Sequence, residues 1–198
     1  MKSTKDLWGG AAGDARWAML VPPAPGDLRI VQAMVNTAAA VARTDEMASP
    51  QAAADWLARW GLLPAATEVS ETDHRRLIDT RDGLRALTRF NNGLPWDADA
   101  VARLNKAAAS APLKVEIGAR STRFEPAFDG VDGALGMLAR IVVAARMEAV
   151  WRRLKLCRGD DCGLSYYDAS ARCLRRWCSM ERCGNLSKVR AFRRRHRR

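Results

Sequence analysis

Apolar residues recur every three or four positions along much of the chain, a pattern typical of helices with one buried face. The first such run covers residues 28–38 and follows Asp27, a residue type that often caps a helix N-terminus. A second run follows Ser49 and Pro50, a capping residue and a first-turn proline, and ends at Gly61. Each run predicts a helix that buries its apolar face in a shared core.

Two further helices are predicted before residue 110. One begins after a cap at Ser70 or Thr72 and continues through Phe90, with arginines and aspartates alternating on its polar face. The other covers residues 97–109. His74 lies near the start of the longer helix without a carboxylate or nucleophile at a suggestive spacing, so it is weak evidence for catalysis.

The apolar period changes after the fourth helix. Over residues 113–128 apolar side chains alternate with charged ones, and a Gly-Ala-Arg-Ser turn interrupts them. This pattern predicts a two-stranded hairpin, which should lie on the helices because an isolated hairpin is only marginally stable. The longest helical pattern follows, over residues 131–156, and leads directly into Cys157. Its first part is almost entirely apolar, which predicts a central position in the bundle.

Four cysteines near the C-terminus form two pairs with one spacing. Four residues separate Cys157 from Cys162, four separate Cys178 from Cys183, and fifteen lie between the pairs. Short thiolate pairs on tight turns are the usual ligands of a tetrahedral structural zinc ion, which keeps no open position for chemistry. A glycine beside a ligand, such as Gly184, lets the backbone turn in toward sulfur. The spacing predicts one structural zinc ion per chain.

Other interpretations of the cysteines remain open at this stage. Disulfides belong to oxidising compartments, no secretory signal is evident, and the fifth cysteine, Cys173, leaves the count odd. Scattered buried thiols would not explain two equal spacings. Cys173 is expected to be a spare thiol or a packing residue. His196 is an alternative fourth ligand, although its run of arginines favours a solvated side chain.

Charge is distributed very unevenly along the chain. The formal net charge is +11, yet residues 151–198 carry 15 Lys and Arg against 4 Asp and Glu, so residues 1–150 are neutral overall. A basic excess confined to one module indicates an acidic partner for that module.

Residues 1–25, rich in Gly, Ala and Pro, predict a flexible, irregular N-terminal segment. The predicted fold is therefore mainly α with a small β-hairpin: a helical N-terminal domain over residues 26–150, then a four-cysteine zinc finger with a basic C-terminal helix over residues 151–198.

The cysteine segment resembles the CGNR zinc finger family. The resemblance depends on Tyr-Tyr-Asp at 166–168, Arg-Arg-Trp-Cys-Ser-Met at 175–180 and Cys183-Gly184-Asn185, in the family's order and spacing. Leu186 stands where the motif has its name-giving arginine. If that arginine contacts phosphate in relatives, this chain lacks one such interaction, and if it only caps the knuckle, little changes. The resemblance implies a bacterial nucleic-acid-binding transcription regulator.

The fragment at 24–40, with its Val-Asn-Thr core at 35–37, resembles the start of the ABATE domain that usually accompanies this finger. The resemblance implies a domain of the stress-induced transcription regulators. Asn36 is expected to be a satisfied polar group at a helix end rather than a ligand contact.

The function predicted from these features is DNA binding by a transcription regulator whose helical domain senses a small molecule or a protein partner. Lys and Arg neutralise phosphates and release counterions, and base edges must be contacted for specificity. The candidate contacts are Arg175, Arg176, Lys188, Arg190, Arg193 and Arg194. We expect Arg175 and Arg176, on the ordered part of the finger, to make the defined contacts.

Two other nucleic-acid or protein functions stay open. The same arginines would serve RNA binding, or the basic face would meet an acidic protein. An enzyme is not expected, since no nucleophile–base set, phosphate loop or dinucleotide glycine pattern is present. No apolar run has the length of a membrane span, and the reducing conditions that keep thiolates free suggest the cytoplasm. The oligomeric state is not predicted.

Overall fold

The structure is a computed structural model that describes residues 16–196. It contains six α-helices and four short strands within that range. The helices are α1 (Leu28–Asn36), α2 (Pro50–Arg59), α3 (Glu71–Asn91), α4 (Ala98–Ala108), α5 (Gly130–Met147) and α6 (Asn185–Arg195). The strands are β1 (Leu113–Ile117), β2 (Thr122–Pro126), β3 (Leu154–Leu156) and β4 (Ser165–Tyr167). Two separate antiparallel hairpins, β1–β2 and β3–β4, complete the mainly α fold that the sequence predicted.

Two of the predicted helix caps, Ser49 and Ser70, are present, and Asp97 caps a third helix. The side chains of Ser49, Ser70 and Asp97 each accept a hydrogen bond from a backbone N–H in the first turn of α2, α3 and α4. Asp27 does not cap α1, contrary to the prediction. Its carboxylate instead accepts a hydrogen bond from Arg140 of α5 at 3.0 Å, because the neighbouring helix brings a guanidinium within reach.

Helix α1 is the centre of the core. Eight of its nine residues are buried, and Val31, Ala33, Met34 and Val35 have no exposed surface. The sequence predicted that the apolar helix α5 would hold this position, but α5 buries one face only. Helix α1 is surrounded because α3 and α5 pack along it and the β3–β4 hairpin covers another side.

The remaining helices pack around α1 largely as predicted. Trp56 of α2 and Trp60, directly after that helix, are each 1% exposed, with ring centroids 5.8 Å apart, so they are core residues. His74 is structural too, because its Nε2 lies 2.8 Å from the carbonyl oxygen of Met47. Gly83 allows α4 to approach α3, since a Cβ there would lie 2.4 Å from the Cβ of Leu104.

The predicted irregular segment at residues 1–25 is described only from residue 16. Arg16–Met19 forms a 3-10 turn, and Trp17, Val21 and Ala24 are buried against the helices. Gln32 of α1 fixes this segment by accepting from the backbone N–H of Ala24. Residues 16–25 are therefore packed rather than flexible, and residues 1–15 lie outside the described part.

The first hairpin confirms the predicted change of period. Strands β1 and β2 pair antiparallel in a register that places Val115 opposite Phe124. The hairpin contacts α5 at Gly136, where a Cβ would lie 3.2 Å from the Cβ of Pro126. Val115 and Ile117 remain exposed, because the hairpin contacts α5 through β2.

The helix predicted over residues 131–156 is wrong in its last third. Helix α5 ends at Met147, Ala149 adopts a left-handed φ of 57°, and the chain then forms a 3-10 turn and strand β3. Apolar residues continue through this region because β3 is buried along its whole length, so their pattern resembles that of a buried helix. A strand rather than a helix therefore leads into Cys157.

Candidate metal centre and nucleic-acid interface

The first cysteine pair lies at the open end of the β3–β4 hairpin. Cys157 follows β3, and its backbone N–H donates to the carbonyl of Leu164 at 2.8 Å, which extends the strand pairing by one step. Cys162 is placed by a tight turn in which its N–H donates to the carbonyl of Gly159 at 3.2 Å. The hairpin therefore brings both sulfurs to the same side of the turn.

The second pair lies at the start of the last helix. Cys183 is part of a π-helical turn, Met180–Gly184, which runs directly into α6. The hydroxyl of Ser179 caps that turn by accepting from the N–H of Arg182. Helix α6 follows at Asn185, so the π turn and its cap at Ser179 start the last helix.

The four cysteines predicted as metal ligands come together in one cluster. The Sγ atoms of Cys157, Cys162, Cys178 and Cys183 all lie within 4.8 Å of one another. The Sγ of Cys178 lies 3.6 Å from that of Cys162 and 3.7 Å from that of Cys183. A tetrahedral zinc ion with Zn–S bonds of about 2.3 Å separates its sulfurs by about 3.8 Å, so the cluster fits zinc. All five cysteines are free, and these spacings exceed the S–S bond of a disulfide, about 2.0 Å.

The thiols of the cluster need a metal to ionise together. Hydrogen bonds from Cys162 and Cys178 lower the pKa of Cys157 to about 2, helped by the backbone N–H groups of Cys178 and Gly159. The same contacts with Cys157 raise the pKa of Cys162 and of Cys178, since a neighbouring thiolate opposes a second negative charge. A divalent cation removes this conflict by balancing the thiolates.

Gly159 is the glycine that the cluster requires. A Cβ at this position would lie 3.1 Å from the Sγ of Cys183 and 3.2 Å from the Cβ of Cys162. Its backbone N–H also points to the Sγ of Cys157 at 3.4 Å. The sequence analysis gave this role to Gly184, whose missing Cβ instead makes room for the side chain of Met180.

The alternative ligand His196 and the fifth cysteine, Cys173, both lie outside the cluster. Cys173 has a left-handed φ of 52°, and its thiol faces the carbonyl of Arg152 at 3.9 Å. His196 stacks on Phe192 with ring centroids 3.9 Å apart and contacts the carbonyl of that residue. Among the described residues the cluster contains four cysteines and no histidine.

A buried ion pair shapes the loop between the two cysteine pairs. The Nζ of Lys155 in β3 lies 2.8 Å from the carboxylate of Asp168, and the two side chains are 5% and 0% exposed. Asp168 also accepts hydrogen bonds from Ser170 and from the backbone N–H of Arg175. Burial alone would raise the pKa of Asp168, but the hydrogen bonds from Lys155, Ser170 and Arg175 lower that pKa to about 2. The carboxylate therefore stays ionised and ties the loop to β3.

Tyr166 belongs to the core of the finger. It is 1% exposed, burial raises the pKa of its hydroxyl, and this hydroxyl donates to the carbonyl of Arg175 at 2.7 Å. The guanidinium of Arg175 lies 5.5 Å over the Tyr166 ring and donates to the carbonyl of Cys178. Trp177 is half-buried against the same core. The Tyr166 ring is therefore too buried to stack on a nucleic-acid base.

Polar side chains of the helical domain fasten the finger in place. The amide of Asn36 in α1 donates to the carbonyl of Ser165 at 3.1 Å and accepts from its N–H at 2.6 Å. Gln32, one turn earlier, donates to the same carbonyl. Arg85 of α3 donates to the carbonyl of Gly163 at 3.2 Å. Asn36 is satisfied, as expected, but by the finger rather than by its own helix end.

The end of α3 makes a second set of contacts beside the metal cluster. Asn92 donates to the carbonyls of Leu156 and Arg176 at 2.7 and 2.9 Å, the residues just before Cys157 and close before Cys178. Arg158 reaches in the opposite direction and donates to the carbonyl of Asn92. The finger and the helical domain therefore share buried hydrogen bonds on both sides of the cluster.

The six predicted nucleic-acid contacts do not form a uniform set. Arg175, Arg176, Lys188, Arg193 and Arg194 are exposed on the finger and α6. Arg190 is instead paired with the carboxylates of Asp160 and Asp161 at 2.7 and 2.9 Å. These ion pairs attach α6 to the first cysteine turn, so the charge of Arg190 is largely used within the finger.

Sequence reasoning missed several residues that build this site. They are Gly159, Asn92, Lys155, Asp168 and the structural role of Arg190. One signal was available: a lysine between two leucines in a short strand is costly to bury and implies a partner carboxylate. Asn92 gave no such signal, because the Asn-Asn-Gly sequence at 91–93 is an ordinary helix ending.

Two family models match the chain. Residues 12–150 match ABATE, whose description is "Putative stress-induced transcription regulator". Residues 153–196 match the CGNR zinc finger, which contains all four clustered cysteines. None of the curated proteins compared with the chain matches it. Among residues 16–196 no helix has the length and apolar character needed to cross a bilayer.

Proposed function

Since the chain belongs to the ABATE family and ends in a CGNR zinc finger, we propose that it is a DNA-binding transcription regulator built on one structural zinc ion. The ion would be held by Cys157, Cys162, Cys178 and Cys183, which supply the four thiolates that a tetrahedral structural zinc site needs. A site with four protein ligands keeps no position for water or substrate, so its role is to fix the finger. The protein would act in the cytoplasm, where thiolates stay reduced.

The observation that supports this proposal is the unpaired positive charge on a rigidly held finger. These basic side chains are exposed and have no carboxylate partner within residues 16–196: Arg175, Arg176, Lys188, Arg193, Arg194 and Arg195. Cations left in water gain most from a polyanion, because phosphates release their own counterions when neutralised. An acidic duplex is therefore a fitting partner for this face.

The two groups of cations would have different roles. Arg175 and Arg176 lie on the loop that Asp168 and Asn92 hold by hydrogen bonds, so their Cα positions are fixed. Side chains that extend from a fixed backbone suit defined contacts to base edges or phosphates. The arginines of α6 form a clamp that gives affinity without sequence preference. Arg190 would brace the clamp through Asp160 and Asp161.

Binding to labelled duplex DNA, duplex RNA and single-stranded RNA tests this proposal. Fluorescence anisotropy of the zinc-loaded full chain at several salt concentrations should give the tightest binding to DNA, with an affinity that falls steeply as salt rises. DNase and RNase treatment of copurified nucleic acid supplies an independent comparison. Preferential binding of RNA in both experiments would replace DNA by RNA as the target.

An interaction module for an acidic protein is the second candidate, and one observation favours it. Leu186, Val189 and Phe192 form an apolar stripe along α6 and are 45–56% exposed. Contiguous exposed apolar surface often marks a protein interface. Weak nucleic-acid binding with a flat salt response would favour this candidate over the first.

A further inference from the structure

The helical domain contains an apolar cavity that the finger does not use. It lies between α3, α4 and α5, has a volume of about 310 Å³ and opens beside Trp96. Its walls are mainly aliphatic, including Leu84 and Leu87 of α3, Leu104 of α4 and Leu138 of α5. The cavity exists because α4 packs closely on α3 and much less on α5. Its volume lies in the range of small-molecule sites.

A buried polar group inside the cavity lacks a partner. Thr80 lines the cavity and is 3% exposed, and its hydroxyl has no hydrogen-bond partner in the structure. A buried hydroxyl without a partner loses its hydrogen bond to water and gains none in the protein, so it destabilises the fold. Since Thr80 lies in the middle of α3 among leucines, a valine would fill the same space without this cost. The hydroxyl is therefore best explained by a ligand that hydrogen-bonds to it.

The charge around the cavity defines the ligand further. Arg146 is the one charged residue in its lining, and no carboxylate pairs with it within residues 16–196. The Arg146 guanidinium lies 5.6 Å over the ring of Trp151, which leaves its N–H groups free for an anion. No Asp or Glu lines the cavity. We propose that this cavity binds a small, mostly apolar molecule with one acidic group, whose anion pairs with Arg146 and whose body fills the space between the helices.

Helix α3 connects this cavity with the metal cluster. Thr80, Leu84 and Leu87 line the cavity, and Asn92, directly after the same helix, holds the carbonyls of Leu156 and Arg176 beside the cysteines. A ligand that fixes α3 would therefore also fix the loop that carries Arg175 and Arg176. The ligand would then be the signal that the proposed regulator senses. This part of the inference rests on the proposed function, whereas binding of a ligand in the cavity does not.

Two fluorescent probes that differ in one acidic group test the proposal. Anilinonaphthalene sulfonate carries a negative charge, and phenylnaphthylamine is the same aromatic body without it. Titration of the zinc-loaded full chain at high salt, which weakens binding to the basic helix, should give one saturable site per chain for both probes. Absence of a saturable site for either probe would overturn the proposal.

Variants of the cavity separate specific from general binding. Arg146→Gln should weaken the charged probe about tenfold, as expected when a charge-assisted hydrogen bond is removed, and leave the neutral probe unchanged. Arg120→Gln, in the exposed β1–β2 turn, is the matched control and should change neither. Equal effects of the two arginine variants on the charged probe would overturn the acidic part of the proposal.

Filling the cavity supplies the last test. Ala139→Phe and Ala108→Phe, from opposite walls, should each abolish binding of both probes while circular dichroism and zinc content stay unchanged. Two variants are used because one of them could fail to fold. Binding that persists in a folded variant would place the probe elsewhere and overturn the proposal.

Hydrogen exchange of the backbone amides around Cys157 tests the coupling between the cavity and the finger. Slower exchange in the presence of the probe is expected. Unchanged exchange would overturn the coupling alone, whatever the result with DNA.

Discussion

Asn36 pairs with Ser165 through both backbone polar groups of the serine, although 129 positions separate the two residues. The amide side chain takes the place that a neighbouring strand would occupy beside β4. A helix of the N-terminal domain therefore completes the small sheet on which the cysteines are mounted. This contact is local in space and entirely non-local in sequence.

Removal of the Asn36 amide should loosen the finger without removing its metal ligands. Asn36→Ala leaves the buried N–H of Ser165 without a partner, and Gln32 alone remains for its carbonyl. We expect a loss of about 2–4 kcal/mol in the free energy of unfolding, from two impaired buried groups at about 1–3 kcal/mol each. Urea unfolding of the zinc-loaded chain measures it. Asn105→Ala, an exposed position on α4, is the control and should change stability by less than about 0.5 kcal/mol.

Loss of one cysteine of the cluster should remove the metal. Cys178→Ser is expected to lower zinc content from about one ion per chain to near zero, because three thiolates bind the ion much less tightly than four. Cys173→Ser is the matched control, and it should keep full zinc content because its thiol lies outside the cluster. Metal analysis of the purified proteins gives the answer. Equal zinc content in both variants would contradict the four-ligand site.

A methyl group at position 159 should lower the zinc affinity of the cysteine cluster. Gly159→Ala places a Cβ 3.1 Å from the Sγ of Cys183, so the sulfur must move from its tetrahedral position. We expect zinc affinity to fall about 10–100-fold, the usual effect of changing such a support. Competition with a chromophoric chelator measures the affinity. Gly118→Ala, in the exposed hairpin turn, should leave the affinity unchanged.

The buried pair of Lys155 and Asp168 predicts a specific pH dependence. Asp168→Asn leaves the ammonium of Lys155 buried without a counter-charge and should cost about 3–5 kcal/mol at neutral pH. The pKa of Asp168 is about 2 in the folded chain, below its value of about 3.9 when unfolded. The stabilisation by its charge is therefore present above about pH 4 and is lost as the pH falls toward 2.

The pH effect is measured as the difference in unfolding free energy between the wild type and Asp168→Asn at each pH. This difference matters because acid also releases zinc from thiolates in both proteins. The difference should be constant from pH 7 to about 5 and shrink below about 4. A difference that grew toward acid pH would contradict the depressed pKa of Asp168.

Neutralising the arginine clamp should reduce the salt dependence of DNA binding. The double variant Arg193→Gln, Arg194→Gln should lower the slope of log affinity against log salt by about one for each phosphate that is no longer neutralised. Arg120→Gln and Arg123→Gln together remove the same charge from the β1–β2 hairpin and serve as the control. An equal drop in slope for both double variants would show that net charge, rather than the clamp, governs binding.

Local signals in the sequence predicted much of the fold and of the metal site. Ser49 and Ser70 accept hydrogen bonds from backbone N–H groups three residues further along the chain, so their capping roles could be recognised without the fold. The equal spacing of the cysteine pairs is local in the same sense. A tetrahedral ion then requires the two pairs to meet, which supplies one long-range contact from chemistry alone.

The failures have a common cause in long-range burial. Strand β3 was mistaken for the end of a helix, because all three of its residues are buried and leave no alternation to detect. Asn36 was interpreted as a polar group at a helix end and Asn92 was given no role, since their partners lie 129 and 64 positions away. The ion pairs of Arg190 with Asp160 and Asp161 were missed, because those carboxylates lie 30 and 29 positions away.

The hydrogen bonds from Asn92 to the carbonyls of Leu156 and Arg176 limit how such a finger could be joined to another domain. A chimera that grafts residues 153–196 onto an unrelated carrier would inherit the four sulfurs but leave the carbonyls of Leu156 and Arg176 without their donor. The graft would need the last turn of α3 as well. In evolution, the finger and the helical domain should therefore be exchanged as one unit.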